Sequence, residues 1–257
     1  MIENYINDEI LNFQLTTIDW LLALLGAFFL GLSKAGIKGI GVIIVTIMAI
    51  VFGGKASTGV LIPMMIFADI FAVIYYHRHT QWKYLVKLLP AMAVGVLLGV
   101  LLGNDISDVV FKQLMAFLIL GIVVFMIFME RKKSNDIPKN RFFSIGTGLL
   151  AGFTSMIGNL AGSFSNIYFL AMRLPKNEFI GTAAWLFFII NVFKLPFHIF
   201  VWKTVGKESI LLNLVLIPAI LVGFIAGVYL VKLINNAAYR KFILIVTAVG
   251  ALIILFK

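Results

Sequence analysis

The chain has no cysteine, which excludes disulfides, thiolate nucleophiles and cysteine-based metal sites. Histidine is scarce: only His77, His79 and His198 occur, in no HExxH or comparable ligand spacing, so no metal site is expected. No Ser–His arrangement points to a nucleophilic enzyme, no mid-helix histidine pair suits haem, and no GxxxxGK[ST] loop is there to drive the protein with ATP. No catalytic residue and no cofactor are expected. Charge is also scarce, at 12% of residues against 62% hydrophobic in 257 residues. A soluble domain of this size has too little interior to hide that much apolar side chain. The net charge of +10 would raise a nucleic-acid question on a soluble protein. Here the basic residues fall between apolar segments, as in RKKSNDIPKNR at 131–141, which is the pattern of membrane orientation; a lipid bilayer, and not nucleic acid, is the expected surrounding.

Long apolar runs are present instead, near 18–33, 40–52, 58–77, 84–103, 110–129, 142–172, 179–201, 209–231 and 239–256. Most are long enough to cross a bilayer as helices, and the short alternating segments of a membrane barrel are missing. The expected fold is an all-α polytopic membrane protein with a single transmembrane domain over 1–257. Two regions break the pattern: GLSKAGIKGIG at 31–41 and GFTSMIGNLAGSFSN at 152–166. Both are rich in glycine and polar side chains, which weaken a helix, and such backbone survives at membrane depth only against protein or a water-filled cavity.

The two breaks also match each other. Gly31 and Gly41 fall on Gly152 and Gly162, Asp69 on Asn191, and Pro90, Gly95 and Gly99 on Pro218, Gly223 and Gly227. This predicts two homologous halves, a first repeat over 1–130 and a second over 141–257, joined by a cytoplasmic linker at 131–140. Each half has an interrupted or re-entrant helix followed by three transmembrane helices. If each break crosses once, the chain has eight spans with its N-terminus inside. If each break enters and leaves on one side, the N-terminus is outside, more lysines and arginines fall inside, and the repeats are inverted. The inverted arrangement is preferred, because it offers a route to alternating access.

Lys34 and Lys38 stand four apart in the first break, a spacing that shares one helix face. Lysine at membrane depth is costly and is a functional candidate by default; with Ser33, Gly39 and the positive ends of broken helices it suggests an anion site. Snorkelling of both lysines to a nearby surface is the alternative. The second break offers Thr154, Ser155, Asn159, Ser163, Ser165 and Asn166, neutral groups that can complete an anion shell or make cross-helix contacts. Asp69 is the one acid deep in an apolar segment. It can couple a proton to transport, or pair with a basic side chain such as Lys194 or Lys38. Lys194 shares a face with Asn191 and serves either the cavity or the interface, with Pro196 limiting its helix.

On the Lys38–Gly39 pair within GLSKAGIKGIG, the Pro63 to Asp69 segment and the second copy at GFTSMIGNLAG, the chain resembles the sulfite exporter TauE/SafE family along nearly its whole length. The resemblance implies a secondary transporter in a bacterial-type cell (inner) membrane. It also implies export of a small sulfur-containing anion, sulfite or an organosulfonate such as sulfoacetate, driven by an ion gradient with proton coupling as one option. Lys38 is the residue it carries over most directly; the second copy has Asn159 at that place. An anion channel, or a carrier for a non-sulfur organic anion, is the alternative. Oligomeric state is not legible.

Overall fold

The computed structural model describes residues 15–131, 140–236, 238, 239, 241 and 243. Most of the linker at 131–140, nearly all of the run at 239–256 and the first fourteen residues lie outside them. The described residues form helices and no strand: α1 (Thr17–Ala35), α2 (Gly41–Phe52), α3 (Gly54–Tyr76), α4 (Trp82–Asn104), α5 (Asp108–Arg131), α6 (Arg141–Gly158), α7 (Ala161–Ala171), α8 (Lys176–Pro196) and α9 (Lys207–Leu233). A short 3₁₀ turn (His77–His79) follows α3, and a π turn (Phe197–Val201) follows α8. Among the described residues, five helices are long and apolar enough to span a membrane; α2 is a shorter apolar helix. Large apolar side chains such as Ile18, Leu101 and Phe142 cover the outside, while Lys34, Lys38, Asp69, Asn191 and Lys194 are buried. This inversion of the soluble pattern is what a lipid solvent demands.

Local chemistry sets the helix ends. Thr16 and Asp19 form a capping box at the start of α1, and the Asn140 side chain accepts from the Phe143 amide at the start of α6 (2.8 Å), each satisfying amides with no partner inside the helix. α1 stops at Gly36, whose φ of 125° is open to glycine at little cost; the Ile37 amide then closes back on the Leu32 carbonyl. Asn159 ends α6 in the left-handed region, at φ 56°, the region in which asparagine is the commonest substitute for glycine. Both breaks are narrower than the glycine-rich stretches suggest: Lys34 is still in the last turn of α1, and only 159–160 interrupt the second region. Pro196 does not end its helix outright. The chain continues for one π turn, closed by the Trp202 amide on the Phe197 carbonyl.

Close backbone approaches fix how the helices pack. Gly26 of α1 faces Ile47 and Met48 of α2, so the chain folds back on itself at the first break. Gly31 lies on the backbone of α9 at Ile220 and Phe224, and Gly227 of α9 lies on Leu32 and Ala35, so α1 and α9 run parallel. Likewise Gly95 meets Leu149 and Phe153, and Gly99 meets Met156, so α4 and α6 run parallel. Gly59 at the start of α3 meets Thr204 beyond α8, and Gly181 near the start of α8 meets Tyr76 and His79, so α3 and α8 run antiparallel. Small residues are what permit such contacts between membrane helices. A side chain at Gly152 would overlap the Met92 carbonyl, whereas one at Gly146 would meet nothing within 4 Å. Thermal unfolding in detergent should therefore show Gly152→Ala destabilised by about 1–3 kcal/mol and Gly146→Ala unchanged or slightly stabilised. Equal behaviour of the two variants would mean that this packing does not decide stability.

Candidate functional site

The two breaks meet in the interior. α2 and α7 both begin there without a side-chain cap, and their first residues, Gly41, Gly162 and Ser163, line small adjoining cavities. The first, about 60 Å³, is bounded by Leu30, Ser33, Lys34, Lys38, Ser155, Asn159, Phe187 and Asn191 among others. The second, about 50 Å³, shares Ser33, Lys38, Asn159 and Phe187 and adds Gly39, Ser163 and Asn166. Two uncapped helix starts bring unpaired amides and positive partial charge toward one place.

The charged groups around this place are not equivalent. Lys34 pairs with Asp69 at 2.7 Å, and the other oxygen of Asp69 accepts from Asn191 Nδ2 at 2.7 Å. Lys194 donates to the Ser155 carbonyl (2.9 Å) and to Asn159 Oδ1 (2.8 Å), and Asn159 Nδ2 donates to the Thr58 carbonyl (3.2 Å). Lys38 donates to the Ser33 carbonyl at 2.9 Å. The Lys34 and Lys38 ammonium groups also lie 5.0 Å and 5.5 Å from the centre of the Phe187 ring, within the range of a cation–π attraction. Asp69 offsets one of the two lysines that face the cavity.

The resulting map departs from the sequence expectations at several points. The partner of Asp69 is Lys34, not Lys194 or Lys38. Lys34 and Lys38 meet at one cavity although the helix breaks between them, because the turn at Gly36 to Ile40 returns Lys38 beside the last turn of α1. Lys194 is not an interfacial anchor: it is fully buried and sits behind Ser155 and Asn159. Thr154 and Ser165 point away from the site, donating to the carbonyls of Leu150 and Ala161 one turn earlier in their own helices. Asn166 lines the second cavity, and its buried Oδ1 has no hydrogen-bond partner. Phe187 was not foreseen, since nothing distinguishes it within the run AAWLFFIIN.

The model of the sulfite exporter TauE/SafE family matches residues 22–254. The chain belongs to that family. No curated protein and no solved structure matches it. TauE/SafE proteins are membrane transporters, so this chain is an integral membrane transporter for sulfur anions and not an enzyme. In this TauE/SafE protein the matched region includes both breaks and every residue around the buried cavities. No group of three or more His, Cys, Asp or Glu side chains suited to a metal ion occurs among the described residues.

Proposed function

We propose that this protein is a secondary carrier of the cell (inner) membrane that exports sulfite or a similarly small sulfur oxyanion, bound between the two helix breaks. The observation that carries this reading is the convergence of Lys38 and two uncapped helix starts on one buried cavity. In this reading Lys38 supplies the charge for the anion, and Ser33, Gly39, Ser155, Ser163 and Asn166 surround it with neutral polar groups. The Asn166 carboxamide turns its NH₂ to the substrate. Asn159 and Lys194 brace the far wall by bonding to each other. The first cavity has the volume of about two water molecules, which favours an anion of a few heavy atoms over a longer organosulfonate such as sulfoacetate.

Two halves, 1–130 and 141–257, would move around this site as inverted repeats. The packing directions support this. α1 runs with α9, α6 runs with α4, and α3 opposes α8; with short turns reversing α3 into α4 and α8 into α9, α1 opposes α6. The basic residues of 131–141 favour the cytoplasmic side for the linker at 131–140. Protonation of Asp69 would release Lys34 from its ion pair toward the cavity, giving a route for proton coupling.

The test is uptake into proteoliposomes holding the purified protein. Saturable sulfite flux, inhibited poorly by sulfate and sulfoacetate, is expected; a non-saturating flux would replace the carrier by a channel, and no sulfite flux from folded protein would remove the substrate. In the same assay Phe187→Ala, which opens the wall shared by both cavities and removes two cation–π contacts, should weaken sulfite affinity about 3–10-fold and raise the rate of sulfoacetate relative to sulfite. An unchanged substrate ratio would show that Phe187 does not set the size of the site.

A further inference from the structure

A second hollow lies far from the buried cavity in character. Between α4 and α6 the surface carries a groove of about 800 Å³, more than ten times the volume of the first cavity. It lies where the two helices touch through small residues, Gly148 resting on Ala91, which itself lines the groove. The walls are apolar, with Pro90 and Val94 on one side and Ile145 and Leu149 on the other. One end carries Lys87 and Arg141, and among the described residues no acidic side chain lines the groove.

We propose that this groove binds one anionic phospholipid, its phosphate between Lys87 and Arg141 and an acyl chain along the apolar walls. The parallel course of α4 and α6 explains why both cations fall at the same end: Lys87 is in the second turn of α4, and Arg141 opens α6. From Lys87 to Val94 the groove follows α4 for about 10 Å, so charge at one end is succeeded by apolar wall in the order that a phospholipid presents. Val94 and Ile145 are exposed at 50% and 38% on a lipid-facing exterior, where an acyl chain is the solvent already present. A free phosphate would use the two cations and leave the apolar walls without a role. A basic pocket between membrane helices is a recognised form of anionic-lipid site.

The experiment uses the full-length protein, delipidated in detergent and titrated separately with phosphatidylglycerol and phosphatidylcholine, with retained lipid counted by native mass spectrometry. One phosphatidylglycerol should be retained in preference to phosphatidylcholine. The double variant Lys87→Ala/Arg141→Ala should weaken that retention about 30-fold, from two surface charges each worth about fivefold. Val94→Trp keeps both cations and fills the groove from an exposed position; it should lower retention comparably. Equal retention of the two lipids overturns the site. So does phosphatidylglycerol retention unchanged in the double variant, or unchanged in Val94→Trp when that protein elutes as wild type. Displacement of the lipid by inorganic phosphate at equal concentration would also overturn it, because the apolar walls would then contribute nothing.

Discussion

Lys38→Ala should reduce sulfite transport in proteoliposomes by about 100-fold while leaving the protein folded. The Lys38 ammonium donates to the Ser33 carbonyl and faces both cavities, and among the described residues no carboxylate pairs with it, since Asp69 is engaged by Lys34 and Asn191. Removing a charged hydrogen-bond partner from a buried anion costs about 1.5–3 kcal/mol, which is roughly 10–150-fold in affinity. Within the protein the variant loses one bond to Ser33 and one contact with the Phe187 ring, so elution and thermal stability should stay near wild type. Lys38→Arg should also transport poorly, because a guanidinium fork has no room beside an anion in a cavity of about 60 Å³. Transport by Lys38→Ala at the wild-type rate would take Lys38 out of the mechanism.

The opposite separation of effects is expected at Asp69. Asp69→Ala leaves Lys34 buried without its carboxylate and Asn191 without its acceptor. Breaking one side of a buried ion pair costs about 3–5 kcal/mol, enough to lower the yield of folded protein and its melting temperature sharply. Lys34→Met/Asp69→Leu removes the charges from both sides of the ion pair and should recover most of that stability, since replacing a buried pair by apolar side chains is often neutral or better. Stability of Asp69→Ala equal to wild type would mean that the pair does not hold the core together. A double variant that is stable, but whose sulfite flux no longer responds to a pH gradient, would assign coupling to the pair as well.

The helices and both breaks were legible because they rest on local properties. Apolar runs of span length, Gly36 and Gly39 with positive φ, and asparagine at the left-handed position 159 act within a few residues of themselves. The partner of Asp69 was not legible. It depends on which face of α1 meets α3, and helical spacing fixes positions on a helix but not its rotation against a neighbour. Thr154 and Ser155 are adjacent and chemically alike, yet only Ser155 borders the cavity; a hydroxyl that bonds to its own helix reads in sequence like one aimed at a ligand. Lys194 looked suited to the interface because it is followed by Pro196, but the chain continues through a π turn, and the lysine stays in the interior. Phe187 carried no signal at all, since its role comes from two ammonium groups that approach from α1 and the first break.

The carbonyls at the end of α1 are held from two distant places. Tyr76 donates its hydroxyl to the Ala35 carbonyl at 2.8 Å, and Tyr239 donates to the Gly36 carbonyl at 2.6 Å, across 203 residues of chain. This bears on biosynthesis. The first break leaves the ribosome 203 residues ahead of the tyrosine that makes one of its two clasps. A nascent chain or a truncated gene product that stops at Leu233 would have every residue lining the cavities and still lack the hydroxyl that closes over Gly36. Tyr239 therefore completes a turn made long before it, and a stop ahead of Tyr239 should be read as damage to the site.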